Sequence, residues 1–410
     1  TLPFSLRYWM GFMTDDLPGL AFIAMIFFAV FALSSFYSLL LPRFIDLSPN
    51  GTDSLARLYG LELMGAVAGL SAVYFFGSIP WIQPILYQGA LAILMALLFG
   101  GRVVWALSLA ALLLYASLFT ALDHHSLAYH YNKFHKLKES KILYSVNSPY
   151  QKVDIVKSGT GRRYIFLDGK KNYGTTSLRI FNVYLSRSPA KLVMPKNALI
   201  IGAGSMESLH HVAQVSEMVD VVEIDKAMPD GSKIYFADVN HIGRYDNWKL
   251  TIEDAKSYLN NTDTLYDLIV VDIPAPLTVQ TGLLHSVEFY KMAKKRLSPQ
   301  GVISVSLSGK FGRANKTPRT VAAALARAFE EMVIYTPDIA RRSFAIAGRS
   351  LPFSMSELIA TSTSMGATTT AVFNKKEALE IIDGIAPITF DNLSHPLKRS
   401  VRRVGRKYFR

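Results

Sequence analysis

The sequence contains no cysteine, which excludes disulfides, thiolate metal sites and cysteine nucleophiles. Charge is also scarce, but only in one part. Residues 1–125 hold Arg7, Arg43, Arg57 and Arg102 against Asp15, Asp16, Asp46, Asp53, Glu62 and Asp123, and no lysine occurs before Lys133. The chain as a whole has 44 lysines and arginines against 31 acids, a net charge of +13. That excess therefore lies beyond residue 125. At 410 residues, half of them hydrophobic, the chain is too long for one typical domain. The segregation reads as an apolar anchor followed by a basic soluble domain.

A membrane span needs about 20 apolar residues. Residues 17–41 meet this with no charge, and they are too long for a signal-peptide core and lack a cleavage pattern. Residues 54–79, 81–99 and 103–122 are three further spans, punctuated by Pro42, Pro80 and Gly100-Gly101. Four spans put both termini on one side, and the lysine bias places that side in the cytoplasm. The expectation is an integral inner- or plasma-membrane protein whose soluble domain is cytoplasmic. Glu62 sits inside the second span, near Arg57 and the small residues Gly65 and Gly69. It reads as an acid one turn from the interface that snorkels or pairs with Arg57, with an intramembrane functional role as the alternative. His124, His125, His130 and His135 follow the fourth span. Their spacing fits a wet juxtamembrane helix better than a metal site.

The remainder is α/β. Val153-Asp-Ile-Val and Tyr164-Ile-Phe-Leu, separated by glycine turns, read as a small β-subdomain. From Ala198 the rhythm becomes strand, helix, strand. Ala198-Leu-Ile-Ile-Gly-Ala-Gly204, Val219–Asp225, Trp248–Ala255, Tyr266–Asp272 and Gly301–Leu307 are near-continuous apolar runs. They indicate a parallel sheet covered on both faces, a Rossmann-type arrangement like that of methyltransferases. Met332–Tyr335 and Ser343–Ala347 supply two more strands. The resulting fold class is four transmembrane helices, then a small β-subdomain, then this Rossmann sheet. The expected divisions are an anchor over 1–125, a linker helix and β-subdomain over 126–190, the Rossmann domain over 191–350, and a linker with a basic tail over 351–410. Residues 355–370, rich in serine and threonine, read as a linker or lid.

Chemistry collects at strand ends, where open α/β sheets bind ligands. Gly202 and Gly204 allow close backbone approach. Glu223 ends the second strand, where a carboxylate accepts ribose hydroxyls. Asp254 ends the third, suited to an adenine amino group, and Asp272 ends the fourth, beside a reacting group. The alternative for such acids is that each caps the helix that follows it.

These residues resemble the spermidine synthase (aminopropyltransferase) family, especially its membrane-attached bacterial members, from about residue 148 to 348. Ser148-Pro-Tyr-Gln151 is similar to the family's entry motif and Leu167-Asp-Gly169 to its hairpin motif. Ala198–Gly204 resembles its nucleotide loop, Glu223-Ile-Asp225 its ribose motif and Glu253-Asp-Ala255 its adenine motif. Leu284-His-Ser-Val-Glu-Phe-Tyr290 and Leu297-Ser-Pro-Gln-Gly301 resemble the segment after the catalytic loop. The resemblance implies S-adenosylmethionine or its decarboxylated form as the cofactor. Gln151 would touch the amino-acid end of that ligand, Glu223 the ribose and Asp254 the adenine. Asp272 would orient or deprotonate an attacking amine.

The departures fall at the amine-acceptor end. The usual Gly-Gly-Gly-Asp-Gly is Gly202-Ala-Gly-Ser205-Met206 here, and Ala275 stands where a second catalytic-loop acid belongs. The family's glutamine falls on Asn172, its acidic pair near Ser177-Leu178, and its Tyr-Gln pair near Phe181-Asn182. A desolvated polyamine needs those acids. Three readings follow: a transferase with a non-polyamine acceptor, lipid or protein; an inactive subunit that stabilises a membrane protein complex; and, last, a spermidine synthase with a relaxed pocket. The tail 398–410 carries seven lysines and arginines and no acid, which suits anionic headgroups, a partner subunit or a solvated disordered end. Membrane lipids, complex partners and a homodimer through the soluble domain are the expected partners. Nucleic acid is not, since no aromatic stacking platform accompanies the charge.

Overall fold

The computed structural model describes residues 59–60, 63–71, 75, 89 and 101–398, except 176–178, 203, 339–341 and 367. The first three expected spans, Glu62 and the tail 399–410 lie largely or wholly outside the described residues. Within them the chain forms two compact units, which meet in sequence at Lys170 and Lys171.

The first unit is organised by one helix, α1 (Arg102–His135). At 34 residues it extends about 50 Å, and it has a mean hydropathy of 2.0 over its most apolar 18 residues. Among the described residues it is the one helix long and apolar enough to cross a membrane. Its first half exposes Val103, Leu107, Leu113 and Leu114. The second half changes character, burying Phe119, Asp123, Ser126, Leu127 and Tyr131. The helix runs unbroken past the expected boundary at residue 125. It stops at Lys136, which adopts the left-handed conformation and donates its N–H to the Tyr131 carbonyl.

That second half packs on an antiparallel meander of β1 (Lys141–Asn147), β2 (Lys152–Lys157) and β3 (Arg163–Leu167). Leu127 and Tyr131 form one apolar cluster with Ile142, Val156, Tyr164 and Phe166. The Tyr131 hydroxyl donates to buried Asp154 at 2.6 Å. His135, the last residue of α1, donates from Nε2 to the Gly169 carbonyl at 2.8 Å. Asp168 and Gly169 both have positive φ, 48° and 70°, the primed-turn geometry that an Asp-Gly pair favours. The Asp168 carboxylate accepts the Lys152 N–H at 2.9 Å. The turn leads into β4 (Lys170–Gly174), where the chain passes into the second unit.

The second unit is a sheet of β5 (Asn197–Ile201), β6 (Met218–Glu223), β7 (Trp248–Ile252), β8 (Tyr266–Val271), β9 (Leu297–Ser306), β10 (Glu331–Pro337), β11 (Phe344–Gly348) and β12 (Thr369–Asn374). Its order is β12-β10-β11-β9-β8-β5-β6-β7. β5 to β9 run parallel to one another, and β10, β11 and β12 extend the sheet antiparallel from β9. Alternation sorts each strand's residues to two faces. Leu199, Ile201, Ile269 and Val271 enter one core. Ala198, Ile200, Leu268 and Val270 enter the other. Both faces are covered, as continuous apolar strands require.

One covering element is irregular. Helical residues Arg179–Asn182 and Ser188–Val193 are joined by a π-helical turn, Val183–Arg187. Pro189 gives the physical cause. It has no N–H for the Leu185 carbonyl, and its ring would crowd that oxygen in a regular helix. The released Leu185 carbonyl accepts the Ser304 hydroxyl at 2.6 Å, and the neighbouring Tyr184 carbonyl accepts Tyr335.

Residues 355–370, read as a linker or lid, are regular structure instead. Ser354 and Glu357 form a reciprocal capping box that opens the helix Met355–Ser364. The chain then adds β12 to the sheet edge beside β10.

Candidate functional site

Strand order reverses between β5 and β8. To one side lie β6 and β7, and to the other β9. The crevice outside the carboxyl ends of these strands is where such sheets hold ligands, and five of the six sequence-derived residues follow or end these strands.

Gly202 ends β5. Its φ is +82°, and a Cβ there would lie 2.4 Å from the Asp272 carbonyl oxygen. No other residue fits without moving the β8 loop. Its N–H donates to the Val222 carbonyl at 2.9 Å, tying the loop to β6. Gly204 differs: a Cβ would meet only the Met228 methyl, at 3.8 Å. The fold tolerates a side chain there, so its glycine leaves open space above the loop. Its carbonyl accepts the Ser232 hydroxyl at 2.7 Å.

Glu223 ends β6 half-buried. One carboxylate oxygen accepts the Asp225 N–H at 3.0 Å, which fixes the side chain at the strand end. Buried Asp225 in turn accepts the Ala227 N–H at 3.1 Å. Asp254 takes the capping role weighed for strand-end acids. Its Oδ1 accepts the N–H groups of Lys256 and Ser257, at 2.8 and 3.3 Å, at the start of the helix Ala255–Asn261. Its neighbour Glu253 accepts the Ser257 hydroxyl. Gln151 belongs to the first unit, where its N–H and carbonyl close a turn on Ser148 immediately before β2.

Asp272 follows β8. Its Oδ2 accepts the Ser208 hydroxyl at 2.7 Å. Desolvation pushes its carboxyl up to about 7; the Ser208 bond opposes this, and the negative charges of Glu207 and Glu223 add to it. Ser208 and Glu207 come from the first turn of α2 (Glu207–Ala213), the helix that follows the glycine loop.

Glu207 is a candidate site residue that the strand-end pattern does not single out. It is 1% exposed and accepts the Tyr173 hydroxyl at 2.7 Å and the Asn182 amide at 3.2 Å. Ser205 and Ala275 supply no acid. The structure brings one into the same crevice from residue 207. The available signal was an acid five residues after Gly202, at the start of a helix. Of the other departures, Asn172 is exposed, Ser205 is buried and Asn182 bonds Glu207, while Ser177 and Leu178 lie outside the described residues.

His285 is the second addition. It is 1% exposed. Its Nε2 lies 3.2 Å from the Pro274 carbonyl and its Nδ1 2.9 Å from the Tyr290 hydroxyl. A carbonyl only accepts, so Nε2 carries the hydrogen and Tyr290 donates to Nδ1. Burial lowers its pKa to about 4, against the Pro274 hydrogen bond. A neutral imidazole therefore holds the loop that follows Asp272.

Residues 180–338 match the model of the spermine/spermidine synthase domain. Spermidine synthase 2 of Arabidopsis thaliana is 32% identical over 174 residues, 41% of this chain and 51% of that protein. Polyamine aminopropyltransferase 1 of Aquifex aeolicus is 29% identical over 167 residues, 40% of this chain and 59% of that protein. The crystal structure of spermidine synthase from Thermotoga maritima superposes with a TM-score of 0.44 at 20% identity, over 52% of this chain and 74% of that one. The second unit thus contains a spermidine synthase-like domain on a Rossmann-type sheet. The chain spans about half the length of the curated relatives it matches.

Proposed function

We propose that this protein is a membrane-anchored, spermidine synthase-like transferase. It binds an S-adenosyl-type nucleotide, S-adenosylmethionine or its decarboxylated form, and transfers a group to a non-polyamine acceptor. The observation that carries the reading is Asp272, a desolvated carboxylate at the switch point with its pKa near 7, three strands' ends from which the ligand groups converge. In this reading Glu223 holds the ribose and the glycine loop lies under the sugar and sulfur. An acceptor amine attacks the carbon beside the sulfonium. A C–N bond forms, the C–S bond breaks to leave a neutral thioether, and Asp272 takes the proton. A base whose pKa lies near the working pH suits that step.

The anchor rests on α1 and on the three earlier apolar runs, and the cytoplasmic placement on the lysine bias. A lipid or protein acceptor fits both the anchor and the neutral residues at Ala275 and Asn172. A second reading, an inactive subunit of a membrane complex, is favoured by Asp254, whose Oδ1 is already occupied by capping.

Calorimetry on the detergent-purified chain separates the two, with S-adenosylmethionine, its decarboxylated form and methylthioadenosine as ligands. Micromolar binding that is lost in Glu223→Ala supports the transferase. No heat from any of the three removes it and leaves the structural subunit.

A further inference from the structure

A cavity of about 390 Å³ opens between the π-turn segment and α2 in the second unit. Ile180, Val183 and Arg187 form one wall, and Glu207, His211 and Gln214 the other. Each set has the spacing of a single helical face. The volume is that of a small-molecule site. Two charges of opposite sign reach it.

The Arg187 Nε–H is buried and has no hydrogen-bond partner among the described residues. Folds avoid a desolvated donor without an acceptor unless something outside the chain supplies one. The π turn, a feature frequent at functional sites, ends on this residue, and Pro189 enforces it. Opposite stands Glu207, held by Tyr173 and Asn182. Glu207 also acts on Asp272, so the cavity adjoins the candidate site.

We infer that this cavity receives an α-amino-carboxylate group, its carboxylate on Arg187 and its ammonium on Glu207. The inference rests on the nucleotide reading above and narrows it. S-adenosylmethionine ends in such a group, whereas its decarboxylated form keeps the ammonium and lacks the carboxylate. Arg187, whose planar fork fits a carboxylate, therefore selects the intact cofactor. A free amino acid such as methionine carries the same two charges and is the other source of this chemistry.

The test is calorimetry on the full chain and on Arg187→Gln, with S-adenosylmethionine, its decarboxylated form, methylthioadenosine and L-methionine. The wild type should bind S-adenosylmethionine at least tenfold more tightly than the decarboxylated form. Arg187→Gln should abolish that preference and leave methylthioadenosine within twofold. An unchanged preference with methylthioadenosine still bound overturns the inference and spares the nucleotide reading. If none of the three nucleotides gives heat in the wild type, the nucleotide reading falls, and L-methionine decides for the cavity. Methionine binding lost in Arg187→Gln supports a free amino-acid site, and absence of binding overturns it. Should Arg187→Gln lose every ligand, Arg187→Lys keeps the charge without the fork. A preference undiminished in that variant counts against the assignment.

Discussion

The Asp272 carbonyl oxygen lies 2.4 Å from the point where a Cβ on Gly202 would stand. The glycine loop and the Asp272 loop are thus one packed unit, and the glycine is required by the protein before any ligand arrives. Gly202→Ala must both strain a positive φ and displace a backbone carbonyl. It should cost about 2–4 kcal/mol and lower the melting temperature by several degrees. Gly204→Ala meets only a methyl at 3.8 Å. It should melt within a degree or two of wild type and lose nucleotide affinity instead. Thermal melts of the two variants side by side check this, and equal destabilisation would refute the distinction.

Asp272 makes stability depend on pH. Its folded pKa, about 7, is raised from the ordinary 3.8 by burial, so the fold favours the protonated form. The stabilisation is fully present below about pH 3.8, and it is lost as pH rises through about 7. Asp272→Asn has no such proton. It should gain stability relative to wild type as pH rises from 4 to 8, by at most about 4 kcal/mol. Transfer activity, measured on the wild type, should rise over the same interval as the base ionises. A pH-independent difference between the two proteins would contradict the assigned environment.

The strands of the second unit were legible because buried parallel strands are written as apolar runs, and Tyr266–Val271 or Gly301–Leu307 admit little else. β12 was not, because the serines and threonines before it suggest a linker. The capping box at Ser354 and Glu357 was the overlooked signal. At the site, strand-end residues were readable from position alone. Glu207 was not, because it reaches the crevice from a helix. Asp254 shows the limit of the same rule: a strand-end acid and a helix N-cap occupy one position in an α/β fold, and sequence does not separate them.

His285 predicts an acid-side effect of opposite sign. Its pKa is depressed, to about 4 from 6.5. Its contribution is therefore present above about pH 6.5 and is lost as pH falls through about 4. His285→Phe leaves the Tyr290 hydroxyl and the Pro274 carbonyl without their partner, at about 2–3 kcal/mol near neutral pH. That penalty should shrink as pH falls from 6.5 to 4, since the unfolded wild type then takes up a proton that the folded state excludes. Denaturation of both proteins at pH 7.5 and pH 4.5 reads the change. A constant difference would place the imidazole in contact with solvent.

Tyr131 and Asp154 test whether the second half of α1 is structural to the first unit. Their bond is 2.6 Å long, and both residues are 1% exposed. Lys152 lies 3.5 Å from the other Asp154 oxygen, so the carboxylate has a cation on one side and the tyrosine on the other. Tyr131→Phe keeps the ring in its cluster with Leu127 and Phe166 and removes only the donor. The remaining carboxylate is buried with half its partners, which should cost about 1–3 kcal/mol. Asp154→Asn in the same background should recover part of that loss, because a neutral amide costs less to bury than a carboxylate. Melting of the two single variants and the double variant gives the coupling directly, and strict additivity would show that the pair does not hold α1 to the meander.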